Sequence, residues 1–297
     1  MILTVCANVC IDEYIRTDNT LILPAGKGVN VAISLSNIGL NPQCLMFMPE
    51  ESKLIFESYL KQHNVLGHYV MMKGKARINK KVIDKYGNIT EYGGQCEPVD
   101  SKLEEDFIKE FEPLAKLADY VVISGSLPAG ASNNFYKHLI EIAGGHKCIF
   151  DSSRDALKEG IKASPLMIKP NIFEFNALTG KHYENEVEAV KECKRLIDEY
   201  KIKYILLSMG GEGALITDGK KAYSAHMNKD NIVNTTGAGD TMVAASLKCI
   251  KDGLDIQEIL KYAITAATHK IGHLEPYITD TSYQNDINKL EIKEIKW

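Results

Sequence analysis

The sequence predicts an α/β fold, a doubly wound, mainly parallel sheet with helices on both faces and a small β-sheet lid. Short β-branched runs alternate with longer segments of helical period, the joining loops are short, and two stretches that break the rhythm read as hairpin strands. At roughly 100–200 residues per domain, a chain of 297 residues can hold one large α/β domain. No low-complexity linker divides it, so residues 1–297 are expected to form a single domain from which the lid grows.

The elements follow in order. Ile2 to Ala7 is an apolar strand run and Gly28 to Ile38 a helical segment; Cys44 to Met48 and Leu54 to Gln62 repeat the pair. Leu103 to Leu117 precedes the strand Tyr120 to Ser124, Phe135 to Ala143 precedes Cys148 to Asp151, and Val187 to Tyr200 precedes Tyr204 to Ser208. Glu13 to Leu23, and Tyr69 to Gly93 with its Tyr86-Gly87-Asn88 turn, lack an intervening helix, so the lid is drawn from about 13–23 and 69–95. In such folds ligands bind at the carboxyl ends of the strands.

Composition excludes several classes. Hydrophobic residues make up 45% and charged residues 25%, which suits a globular core rather than disorder. The longest apolar runs fall far short of the ~20 residues a bilayer span needs, so no membrane partner is expected. Lys plus Arg number 35 against 39 Asp plus Glu, a net charge of −4 with no basic block, so no nucleic-acid partner is expected. The seven cysteines (Cys6, Cys10, Cys44, Cys96, Cys148, Cys193 and Cys249) are scattered without a C-x-x-C pair and read as reduced, buried thiols. Met1 to Ile11 shows no signal-peptide pattern, and a cytoplasmic location is expected. The histidines form no zinc-binding spacing.

Chemistry concentrates in a few loops. In Asn234-Thr-Thr-Gly237-Ala238-Gly239-Asp240 a glycine-rich turn opens into an apolar-periodic helix. Uncovered amides and the helix dipole suit an anion there, and Asp240 can accept a proton from an attacking hydroxyl while Gly237 to Gly239 take up developing charge. Ordinary helix initiation explains the same residues about as well. Gly26-Lys27-Gly28-Val-Asn30 is a second glycine-rich turn into a helix, where Lys27 can meet an anion and Asn30 hydroxyls; a solvated turn lysine is the plainer alternative. Asp12, after the first strand, suits sugar hydroxyls or a simple turn.

The loops at Ser124-Gly-Ser126, Asp151-Ser-Ser-Arg154 and Lys169-Pro-Asn171-Ile-Phe-Glu174 each follow a strand-like run. Asn171 and Glu174 fit a helix capping box, or alternatively Glu174 holds waters of Mg²⁺. Ser208-Met-Gly210-Gly211-Glu-Gly213 offers open backbone to phosphates. Arg77, Asn79 and Lys81 share one strand face, which is either a basic substrate cover or a lysine-protected edge.

In family order these motifs resemble the PfkB (ribokinase-like) carbohydrate kinases, from Met1 to about Gly272. Gly237-Ala-Gly-Asp240 resembles the family's most specific signature and Ala25-Gly-Lys-Gly-Val-Asn-Val-Ala32 its N-terminal one. The resemblance implies ATP and Mg²⁺ as cofactors, Asp240 as general base and Gly237, Ala238 and Gly239 as the anion hole. It places Asp12, Gly26, Lys27, Asn30, Arg77, Asn79 and Ser126 on the substrate. Lys169, Asn171, Ser208, Gly210 and Gly213 fall beside the nucleotide, adenine near Ala263 to His269, and Mg²⁺ at Glu174 and Asn171 through water.

Arg77-Ile-Asn79, Ser124-Gly-Ser-Leu-Pro128 and Asp151-Ser-Ser-Arg154 are most similar to the phosphosugar branch, the 1-phosphofructokinases and tagatose-6-phosphate kinases. The implied reaction is fructose 1-phosphate plus ATP giving fructose 1,6-bisphosphate and ADP, with tagatose 6-phosphate as the alternative acceptor, and the implied assembly is a homodimer through the lid. Met46-Phe-Met-Pro-Glu-Glu-Ser-Lys53 stands where the family usually has a G-x-x-G-x-D loop. That departure leaves open a catalytically weak sugar-phosphate-binding regulatory protein. Asn234-Thr-Thr also differs from the residues often seen before Gly-Ala-Gly-Asp.

Overall fold

The computed structural model describes residues 1–84, 88–95, 97–226 and 232–297. Tyr86 and Gly87 of the expected turn, and Cys96, lie outside them. The strands are β1 (Ile2–Cys6), β2 (Cys10–Ile15), β3 (Thr20–Ala25), β4 (Pro42–Pro49), β5 (Leu66–Met72), β6 (Arg77–Ile83), β7 (Ile89–Tyr92) and β8 (Tyr120–Ser124). The series continues with β9 (Cys148–Asp151), β10 (Met167–Ile168), β11 (Tyr204–Ser208), β12 (Ala214–Thr217), β13 (Ala222–Ala225) and β14 (Ile292–Glu294). Helices are α1 (Lys27–Asn37), α2 (Lys53–Gln62), α3 (Ser101–Leu117), α4 (Phe135–Ala143), α5 (Arg154–Gly160), α6 (Ile172–Thr179), α7 (Glu186–Tyr200), α8 (Ala238–Lys251) and α9 (Ile256–Lys270).

A ten-stranded sheet runs β14-β13-β12-β11-β10-β9-β8-β1-β4-β5. From β5 to β11 all pairings are parallel, and β12 to β14 extend the edge antiparallel. All of β1 is buried, as a strand covered on both faces must be. Leu3 and Val5 face a core with Phe107, Phe135 and Phe150, whereas Ile2 faces Val31, Val243 and Leu247. Helices α3 to α7 therefore cover one face, and α1, α8 and α9 the other. This is the doubly wound arrangement that the alternating pattern predicts, as the resemblance to the ribokinase-like fold also implies.

The lid is a separate four-stranded sheet, β3-β2-β6-β7, with β2 and β6 parallel and the outer pairs antiparallel. Its bounds differ from the expected 13–23 and 69–95. Residues 69–72 belong to β5, which extends the main sheet because Val70 and Met72 pack with Leu45 and Phe47 in the core. The first lid segment is longer than expected, pairing in register from Cys10 with Ala25 to Ile15 with Thr20. Asp12 accordingly lies inside a lid strand rather than in a turn after β1. Among the described residues no helix is long and apolar enough to cross a membrane.

Candidate active site

Two glycine turns aim their helices at one place. Gly237 has φ of 86°, and a Cβ there would collide with the Pro276 carbonyl, so only glycine allows this close start of α8. Gly26, with φ of 140°, turns β3 into α1 against Cys6. Both helix starts open on a cavity of about 870 Å³, within the range of small-molecule sites.

The lid lines this cavity with Asp12, Arg77, Asn79 and Lys81, and the α1 start contributes Gly26, Lys27 and Asn30. Lys169, Asn171, Ser208, Gly210 and Gly213 line it from the carboxyl ends of β10 and β11, and Gly237, Ala238, Gly239 and Asp240 from α8. Apolar side chains of Phe173, Ile232, Met242, Ile264 and Ile271 also line it, with Ala267 and Thr268. Two expected residues stand outside this lining. The Ser126 hydroxyl accepts from Asn8 Nδ2 at 3.1 Å, and Asn8 Oδ1 accepts from Arg77 Nε at 3.0 Å, so Ser126 is linked to the cavity through Asn8 and Arg77. Glu174 and Asn171 form a full capping box, with Asn171 N donating to Glu174 Oε2 at 2.8 Å and Glu174 N to Asn171 Oδ1 at 2.9 Å.

Asp240 is 4% exposed and takes a 2.7 Å hydrogen bond from Asn30 Nδ2. Burial pushes its carboxyl up to about 7; nearby Asp151 adds to the rise, while Lys27 and Asn30 oppose it. Asp151, fully buried at the end of β9, lies 3.3 Å from Lys27 Nζ and 3.4 Å from Lys169 Nζ. Burial would raise its carboxyl, but the two ammonium groups hold it below the ordinary carboxylate range. Lys27 responds in reverse: burial disfavours its charge, and Asp151, Asp240 and Glu174 together lift it above the usual lysine value. Burial, and then Asp151, raise the Glu174 carboxyl.

The inner lid face is a buried polar chain. Lys81 Nζ donates to Asp12 Oδ2 at 2.6 Å and to the Tyr14 hydroxyl at 3.2 Å, and Asn79 Nδ2 donates to Asp12 Oδ1 at 2.9 Å. Arg77 NH1 donates to Asn79 Oδ1 at 2.8 Å, so the guanidinium is held at two points, by Asn8 and Asn79. Strand β6 lies between β2 and β7 and is no solvated edge. Lys81 is 1% exposed and matched by Asp12, so among the described lid residues that line the cavity Arg77 is the cation without a carboxylate ion pair. The sequence reading gave Asp151 no chemical role of its own; its signals were its position at the end of a strand run and its place in the Asp151-Ser-Ser-Arg154 stretch similar to the phosphosugar branch.

A family model described as pfkB family carbohydrate kinase matches residues 8–281. The chain belongs to this family. Among PfkB relatives, the 1-phosphofructokinase of Haemophilus influenzae is 29% identical over 287 residues, covering 95% of this chain and 91% of the relative. The 1-phosphofructokinase of Escherichia coli K12 is 30% identical over 261 residues, covering 86% and 82%. A solved structure described as a possible 1-phosphofructokinase from Thermotoga maritima superposes with a TM-score of 0.90 at 22% identity over 100% of both chains, a likeness of fold. As a PfkB carbohydrate kinase the chain is a phosphotransferase with an alcohol acceptor, and it is similar to the 1-phosphofructokinases.

Proposed function

We propose that the chain transfers the γ-phosphoryl group of ATP to fructose 1-phosphate, giving fructose 1,6-bisphosphate and ADP. The observation that carries this reading is Arg77, a guanidinium braced by Asn8 and Asn79 on the cavity face of the lid. A fixed planar fork suits the phosphate of a phosphorylated sugar, and a neutral sugar would give it no anionic partner.

In this reading the substrate lies between lid and α1, with Asp12, Asn79 and Asn30 available to hydroxyls. Asp240 accepts the proton of the C6 hydroxyl as that oxygen attacks in line. A carboxyl pushed up to about 7 suits that task, because proton transfer works best with a base matched to neutral pH. The amides of Gly237 to Gly239 take up charge on the transferred group, with Lys27 and Lys169 beside them, both held by Asp151. The nucleotide occupies the side of Ser208, Gly210 and Gly213, with its base beside the apolar lining residues Ile264 and Ala267.

Mg²⁺ takes few carboxylates plus waters and phosphate oxygens, and Glu174 with Asn171 fits that donor set. The Glu174 carboxyl, raised by burial and by Asp151, would gain from a dication. When bound, the ion would offset charge on the nucleotide phosphates. We assign the protein to the cytoplasm, consistent with buried free thiols at Cys6, Cys10, Cys44, Cys148, Cys193 and Cys249. A homodimer through the outer lid face is supported by exposed Ile22, Ile78, Val82 and Tyr92 on one small sheet.

The test is coupled ADP release with ATP and Mg²⁺ over a panel of fructose 1-phosphate, tagatose 6-phosphate, fructose 6-phosphate and fructose. Fructose 1-phosphate is expected to lead in kcat/KM by orders of magnitude. Tight fructose 1-phosphate binding without turnover would replace this reading with a regulatory binding protein.

A further inference from the structure

Lys270, the last residue of α9, is 1% exposed, and among the described residues its ammonium forms no ion pair with a carboxylate. A buried charge is costly unless its surroundings are built for it. Here they are backbone carbonyls: Nζ donates to Asn234 O at 2.6 Å and to His273 O at 3.5 Å.

Those two carbonyls belong to the two segments that meet at Gly237. Asn234 begins the turn into α8, and His273 starts the stretch leading to Pro276, whose carbonyl closes on Gly237. Asn234 is pinned further, donating to Leu274 O at 2.7 Å and to the Tyr14 hydroxyl at 3.1 Å while accepting from Thr236 N at 3.0 Å. Tyr14 in turn accepts from Lys81, the partner of Asp12. A continuous run of hydrogen bonds therefore leads from the end of α9, through the turn before Gly237, to the substrate face of the lid.

We propose that Lys270 is a positioning residue for phosphoryl transfer, a tethered cation that clamps the 234–239 turn to the 271–276 segment and so sets the amides of Gly237 to Gly239. The inference rests on the reading of those amides as the anion hole. Among the described residues, Lys81 and Tyr14 from the lid, Asp240 from α8, and His273 and Glu275 from the segment after α9 are the ionisable groups around it. Burial pushes the Lys270 ammonium down to about 7; Lys81 adds to the drop, and Asp240 and Glu275 oppose it. Ammonium and neutral amine both donate to carbonyls, so the clamp persists as the group titrates.

Lys270→Met keeps the length and removes the donors; Lys270→Ala leaves room between the carbonyls. With folding checked by circular dichroism, Lys270→Met is expected to lose about 10- to 100-fold in kcat, as a misplacement near 1 Å produces. Its KM values should stay within about threefold, and the peptide over 232–241 should exchange amide hydrogen faster. Ammonium or potassium chloride, but not tetraethylammonium chloride, should restore Lys270→Ala about fivefold or more, since a small cation can bridge the carbonyls. Wild-type turnover should change less than about twofold between these salts.

Unchanged kcat and exchange in Lys270→Met would overturn the proposal, as would equal salt responses of the two variants. So would a wild-type rate that needs a small cation by tenfold or more, and this arm stands even if neither variant folds. Should the wild type turn over no sugar phosphate, the reaction reading fails, while the exchange comparison still judges the clamp.

Discussion

Replacing Asp240 by Asn tests the proposed base most directly. The side chain is 4% exposed and accepts from Asn30 at 2.7 Å; an asparagine of the same shape can present its carbonyl oxygen to that amide, so the fold is expected to persist. What disappears is the proton acceptor. General-base catalysis contributes about 10²- to 10⁴-fold, and at about 1.36 kcal/mol per tenfold this raises the barrier by about 3 to 5 kcal/mol. Coupled ADP release should register that loss in kcat. ATP affinity by calorimetry should stay within a few fold, because the base is not a nucleotide-binding group. The wild type adds a second signature: with a carboxyl at about 7, on the order of a tenth of Asp240 is ionised at pH 6. The kcat/KM profile should therefore fall tenfold per pH unit on the acid side of 7, and the residual rate of Asp240→Asn should lack that limb. A kcat within tenfold of wild type, or a variant that keeps the acid limb near 7, would refute the assignment.

Asn30→Ala removes a donor that lowers the Asp240 carboxyl value, so the acid limb should move to higher pH, with kcat at pH 7 reduced and partly recovered at pH 8.5. Arg77→Ala should weaken fructose 1-phosphate by roughly 10- to 100-fold in kcat/KM, as loss of a charged bidentate contact at about 1.5–3 kcal/mol predicts, and leave the KM for ATP nearly unchanged; an equal loss with fructose would remove Arg77 from the phosphate. Lys81→Met strands the buried Asp12 carboxylate, its partner at 2.6 Å. Urea unfolding should show a loss of about 3–5 kcal/mol, much of it recovered by adding Asp12→Asn, and additive losses would mean the pair is not coupled.

The alternation of apolar strand runs with helical segments determined the parallel sheet, because both signals are local: a strand buried on two faces reads as continuous Val, Ile and Leu, and an amphipathic helix as a 3.6-residue period. The runs Tyr120 to Ser124, Cys148 to Asp151 and Tyr204 to Ser208 coincide with β8, β9 and β11. The glycine turns at Gly26 and Gly237 were legible for the same reason, since a positive φ that only glycine tolerates is written into the residue itself. Tertiary structure alone decided the rest. Nothing local distinguishes Tyr69 to Met72 as the edge of the main sheet from a lid strand; contact with Leu45 and Phe47 settles it. Lys81 reads as a basic substrate contact until Asp12, 69 positions away, is seen to match it. Asp151 and Lys270 look like a strand-end acid and a helix-end lysine. Lys27, 124 positions from Asp151, and the Asn234 carbonyl, 36 positions from Lys270, reach them only through the fold. Charge pairing in a buried site depends on distance in space, which residue order along the chain does not encode.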